Sequence, residues 1–316
     1  MLHVTNGDLA VARITRGVPE GDVLPWRDVL HEGPVPAGLG DAELRHVRAE
    51  FLAAPEWSEK AQVLRSLEAR DARLEAAAGE EEIVLWFEPD LYDQLQLLQI
   101  LDRLARLEPR AARVTAVESV EAIGDLGAAR VGELFAARAP LHAEALVLAR
   151  EAWERVRDPD PRPLEALTGP TAILPFLPAA ILRHLEELPW IRDGLSRSER
   201  QALEVLRAGP RVAGDLFPAA HHDREPRVFL GDSVFYSYLD RLASGSRPLV
   251  ELSASPARAD AVAHLTAAGE SVLAGAADWI DLGGSDRWLG GVHCAPGEDR
   301  WRWDGAAGRV ARRAGR

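Results

Sequence analysis

The passage from Glu81 to Leu107 constrains the fold of this chain more than any other. Ile83 to Phe87 is a continuous apolar run closed at both ends by acids. A strand that is apolar on both faces must be covered on both faces, which is the situation of a strand inside a parallel sheet. Directly after Glu88-Pro89-Asp90 comes LYDQLQLLQILDRLARL, with Leu95, Leu98, Leu101 and Leu104 at helical spacing. Strand, short turn and amphipathic helix are the repeating unit of an α/β fold.

Three more segments fit the same plan. Residues 2–6 form a short apolar-rich run that ends in Asn6-Gly7-Asp8 and is followed by a helical stretch stopping at Gly17. Gly21 to Trp26 reads as a second strand and residues 113–118 as another. Residues 41–54 and 58–78 carry charged helical patterns. The expected fold class is α/β: an N-terminal parallel sheet flanked by helices, a helical middle region and a C-terminal winged-helix-like module. The boundaries read as 1–125, 126–193 and 194–316. The last region opens with Ser196 and Glu199 in a capping-box pattern. Two further helices follow, at VAGDLFPAA and SVFYSYLDRLASG. PLVEL reads as a strand, HLTAAGESVLAG as a helix, and LGGVHC with RWRWD as a terminal hairpin.

Composition excludes several classes. The net charge is -13, which disfavours non-specific binding to nucleic acid or to an anionic membrane. The excess of acid lies before about residue 195, so a local basic face further on is not ruled out. No apolar window is long enough to span a bilayer, and the N-terminus lacks the pattern of a secretory signal. One cysteine, Cys294, permits no intrachain disulfide. These features together are those of a cytoplasmic bacterial protein. Lys60 is the one lysine, so arginine abundance reflects coding bias and not phosphate binding. The Walker phosphate loop, GxGxxG after a strand, HExxH, GxSxG and CxxC are all absent.

In open parallel sheets ligands bind outside the carboxyl ends of the strands. Here the first strand ends in Asn6, Gly7 and Asp8, and the second in Trp26, Arg27 and Asp28, with His31 and Glu32 close behind. The third ends in Glu88 and Asp90, with Asp93 and Gln94 opening the next helix. If the strands are neighbours, these groups converge on one cleft. His31, Glu32 and Asp28 are the candidate catalytic groups, because His titrates near neutrality and clustered carboxylates have displaced pKa values. Asn6, Gly7, Asp8, Trp26, Arg27, Asp93 and Gln94 are candidates for binding substrate. Asp8, Asp28, Glu32, Glu88 and Asp90 are candidate ligands for a divalent cation. Simpler roles stand beside these. Asp8 suits a helix N-cap, Arg27 and Asp28 suit an ion pair, and Trp26 and Trp86 suit the core. Asp93 suits a helix first turn, His221-His222 suits a loop, and Trp301-Arg302-Trp303 suits packing.

HVTNGD near the start, LPWRDVLHEGPVP, and LWFEPDLYDQLQLLQIL resemble, as a set, the bacterial domain-of-unknown-function 1835 family over about residues 1–120. GLSRSERQALEVL, FLGDSVFYSYL, and DRWLGGVH followed by WRWD resemble the C-terminal region of its long members. The family pattern has a Ser after NGD where this chain has Leu9, so the resemblance supplies no serine nucleophile at that turn. It implies no reaction. It does imply that Asn6, Asp8, Trp26, Arg27, Asp28, His31, Glu32 and Asp93 belong to one site. The leading expectation is an enzyme of hydrolysis or group transfer on a small polar, phosphorylated or nucleotide-like substrate. A ligand-sensing regulator whose C-terminal module binds DNA or a protein is the alternative, and an interaction scaffold is the third.

Overall fold

The computed structural model describes residues 1–54, 59–107, 111–284, 286–295 and 301–313. The first half runs β1 (Leu2–Thr5), α1 (Asp8–Gly17), β2 (Asp22–Pro25), β3 (Gly33–Pro34), α2 (Asp41–Ala53), α3 (Lys60–Ala76), β4 (Glu82–Phe87) and α4 (Leu91–Arg106). It continues with β5 (Arg113–Glu118), α5 (Ala128–Ala136), β6 (Ala139–Pro140) and α6 (Ala143–Val156). The main sheet has the order β2-β1-β4-β5-β6, with β6 antiparallel to β5 and the other pairs parallel. Position 58, in the predicted helix over 58–78, lies outside the described residues.

Alternation along the strands sorts side chains between two cores. Leu2, Val4, Ile83, Leu85 and Phe87 join the apolar cluster that contains α4. Val84 and Trp86 join the other cluster, with Ala10 and Ile14 of α1 and Val131 of α5. All six residues of β4 are buried, which is why its sequence is continuously apolar after Glu82. The chain leaves β1 through α1 for β2 on one side, then returns to β4 on the other side. The strand order therefore reverses between β1 and β4. That is a topological switch point, where the diverging connections leave a crevice above the strand ends.

The second half runs α7 (Leu177–Leu185), α8 (Arg197–Leu206), β7 (Arg211–Val212), α9 (Ala213–Phe217), α10 (Asp232–Leu242), β8 (Val250–Leu252), β9 (Val262–Leu265) and α11 (Ala267–Leu273). Four strands end it: β10 (Arg287–Gly290), β11 (Val292–Cys294), β12 (Trp301–Asp304) and β13 (Arg309–Arg312). The expected capping box at α8 is present, with Ser196 and Glu199 bonding each other's backbone. Two expectations are corrected. HLTAAGESVLAG is not all helix, because His264 and Leu265 close β9 and the helix starts after Thr266 caps it. LGGVHC and RWRWD do not pair with each other: β10 pairs with β11, and β12 with β13. Short turns make each pairing local, and local closure costs less entropy.

The halves interlock. β3 pairs in parallel with β10, Leu289 opposite Gly33. Gly33 sits at φ +76°, and a Cβ there would lie 2.5 Å from the Phe51 ring, so only glycine fits this contact. A single apolar cluster runs from Leu2 to Val310.

Candidate functional site

The end of β1 is tied to the end of β4 by one carboxylate. Asp93, in the first turn of α4, accepts from Asn6 Nδ2 at 2.7 Å through Oδ1 and from the Glu88 amide at 2.5 Å through Oδ2. Asp90 is the α4 N-cap, accepting from the Asp93 amide at 3.0 Å. Gln94 Nε2 donates to the Glu88 carbonyl at 2.9 Å, and Glu88 Oε1 accepts from the Ile123 amide at 2.9 Å. Asn6, Glu88, Asp90, Asp93 and Gln94 thus stand together at the switch point.

The three carboxyl groups are short of water. Burial is the main cause that raises the Asp90 pKa, to about 7; the Asp93 amide opposes it and the Glu88 charge adds to it. Burial also pushes Asp93 well above the usual carboxylate range, with the Asp90 charge next in importance. Glu88 is raised as well, again chiefly by burial. Among the described residues no arginine pairs with these carboxyl groups, so their mutual repulsion adds to burial in opposing ionisation.

Asp90 also lines a cavity of about 180 Å³ between the start of α4, the helix α7 and the segment 225–227. The opposite wall carries guanidinium groups. Arg183 is held by Glu225 at 3.0 Å and Glu187 at 2.6 Å. Arg197 is held by Glu186 at 2.6 Å and approaches Glu225 at 3.3 Å. Arg227 bonds only the Val120 carbonyl, at 3.2 Å, and has no carboxylate partner among the described residues. Arg183, Arg197, Glu225 and Arg227 were not legible as site residues. They lie about a hundred residues or more beyond Asp90 in the chain, in segments with no motif of their own.

Other expected site residues are placed elsewhere. Asp8 is not the α1 N-cap; Gly7 is, with no side-chain cap. The Asp8 carboxylate instead binds Arg27, at 2.5 Å and 3.1 Å, on an exposed rim beside the crevice. That bond is the main cause that lowers the Asp8 pKa. Nothing lies within 4 Å of where a Gly7 Cβ would stand, so the protein itself makes no close approach there. Trp26 and Trp86 are fully buried. Trp26 donates to Gln99 at 2.9 Å and lies under the Arg70 guanidinium at 3.9 Å.

Asp28, His31 and Glu32 turn inward, away from the strand ends. Asp28 does not pair with Arg27; it accepts two bonds from Arg48, at 2.8 Å and 3.1 Å, and both residues are buried. His31 is buried edge-on between Tyr92 and Phe229, and neither ring nitrogen has a partner among the described residues. Burial is the main cause that lowers its pKa, to about 3, so the imidazole is neutral near neutral pH. Glu32 accepts from Tyr238 at 2.5 Å and also binds Arg287, which reaches Glu187 at 2.9 Å. Its carboxylate is engaged in this network, as that of Asp28 is with Arg48. His221 is buried, its Nε2 accepting from the Phe229 and Leu230 amides at 3.1 Å each.

Among the described residues no group of three or more His, Cys, Asp or Glu side chains is placed to hold a metal ion. Also among them, no helix is long and apolar enough to cross a membrane. No model of a known protein family matches the chain, and no curated protein matches it.

Proposed function

We propose that the protein is an enzyme that binds a small polar molecule in the cavity between the start of α4, α7 and residues 225–227 and moves a proton through Asp90. One observation carries this reading: Asp90 is nearly buried, holds its proton to about pH 7, and faces a cavity with guanidinium groups on its far wall. A group whose pKa lies near the working pH is the efficient general acid or base. Arg227, lacking a carboxylate partner, is the natural contact for an anionic group of the substrate. Hydrolysis and group transfer both suit this pairing of a proton carrier with an anion clamp. The N-terminal resemblance to the domain-of-unknown-function 1835 family is kept as part of the proposal, for residues 1–120 only.

The test is a screen of phosphorylated and carboxylated metabolites with product detection by mass spectrometry, run on the wild type and on Asp90→Asn. Asn caps a helix as well as Asp does, so the fold is kept while the titrating group is removed. Turnover by the wild type and its loss in the variant support the reading; equal turnover by both contradicts it.

The regulator reading has one favouring observation. Helix, strand, two helices and two strands, with sheet order β7-β9-β8, is the connectivity of a winged-helix module. Its third helix, α10, is turned inward through Tyr238 to Glu32, and Asp232 and Asp240 are exposed on it. Its contact through Tyr238 lies within the chain and exposed Asp240 is already paired with Arg258 at 2.8 Å, so in this reading the module serves contacts within the chain or with protein. A gel shift of the full chain across a salt series checks it, and salt-dependent DNA binding would reverse that preference.

A further inference from the structure

We propose that the groove along the β5–β6 edge is a second ligand site, for an organic cation with an apolar body. It is a cavity of about 570 Å³ on the side of the C-terminal end of β5, bounded by β6, the start of α6 and residues 172–173. Its apolar surface comes from Ala116, Leu141, Ala145 and Ile173. A second, smaller cavity shares Ala116, Glu118, Leu141 and Ile173 with it and is also lined by Phe87 and Leu97. Ile173 is left 44% exposed over this space, although Leu174 beside it is buried.

The charge of the groove selects the ligand. Among the described residues, Glu118 and Glu144 are the acidic side chains lining it, His142 is the titratable base there, and no arginine or lysine lines it, in a chain with 37 such residues. Neither carboxylate has an ion-pair partner among the described residues, whereas arginines elsewhere are repeatedly paired with acids. An anion entering here meets two uncompensated negative charges, and a neutral molecule leaves them unpaired. A primary or quaternary ammonium at the mouth, with a hydrocarbon chain laid along Leu141 and Ile173, satisfies both features. This inference does not depend on the proton chemistry proposed for Asp90.

The experiment is isothermal titration calorimetry of the full chain at pH 8 with octylammonium and, separately, octanoate. Octylammonium is expected to bind at least about ten-fold more tightly than octanoate. Glu118→Gln/Glu144→Gln changes exposed side chains and is expected to remove that preference, and Ala172→Trp, which fills the groove, to remove binding of both. Circular dichroism melting of each variant verifies folding. Absence of octylammonium binding, equal binding of octanoate, or a preference that survives the double substitution would overturn the proposal.

Discussion

Residue by residue, burial decides chemistry here, and it acts in opposite directions on acids and on histidines. Asp90 has an ordinary pKa of 3.8 and one of about 7 when folded. Below pH 4 it is protonated in both states and contributes nothing. Between pH 4 and 7 the unfolded chain releases the proton while the folded one keeps it, so stability falls as pH rises. Asp90→Asn is therefore expected to match the wild type at pH 4 and to exceed it by roughly 1–3 kcal/mol at pH 8, measured by urea denaturation. His31 works the other way. Its pKa drops from 6.5 to about 3, so its neutral form stabilises the fold above pH 6.5 and that contribution is lost as pH falls from 6.5 to 3. His31→Leu should lose visibly less stability than the wild type over that window, with His184 and His221, also lowered to about 3, supplying the remainder. A steeper acid limb in the variant would contradict this. The sequence shows His31 between Leu30 and Glu32, but its neighbours Tyr92 and Phe229 come from distant segments, so its apolar pocket was not legible.

At the scale of elements, what is written locally was readable. Ile83 to Phe87 announces a strand covered on both faces because periodicity and burial are the same fact there. The α8 cap is a second example: Ser196 and Glu199 need only three residues of sequence to find each other. Ser196→Ala is expected to cost about 1 kcal/mol in chemical denaturation, since it leaves one buried amide unpaired. A change below a few tenths of a kcal/mol would mean the cap contributes nothing. β3 shows the limit. Two residues carry no periodicity, and its partner β10 lies some 250 residues away, so nothing in the order of amino acids marks the pair. The mispaired terminal hairpin has the same origin. LGGVHC and RWRWD are both plausible strands, and pattern alone does not choose the partner.

For the whole molecule, the network through Glu32, Tyr238, Arg287, Glu187 and Arg183 joins the loop after β2 to α7, α10 and β10. Its charges are buried and mutually paired, so removing one member strands the others. Arg287→Met is expected to cost about 3–5 kcal/mol, and adding Glu32→Gln to recover part of that loss, as judged from denaturation of the single and double variants. The same network and the continuous core predict one cooperative transition for the full chain. Calorimetry should give a single peak, and two separated peaks would show that residues 194–316 fold as an independent unit. The sequence marked the polar strand ends, and the parallel order brought Asn6, Glu88, Asp90, Asp93 and Gln94 together. It did not reveal that α7 and residues 225–227 line a cavity together with Asp90.

The proposed chemistry requires Asp90 to titrate near neutrality where it lines the cavity beside α7 and residues 225–227. Side-chain carboxyl carbon shifts of aspartate-labelled protein, followed by NMR from pH 3 to 9 with Asp90→Asn for assignment, measure it directly. The account predicts a midpoint at about 7 for the resonance missing in the variant. A midpoint at the ordinary aspartate value of 3.8 would contradict it.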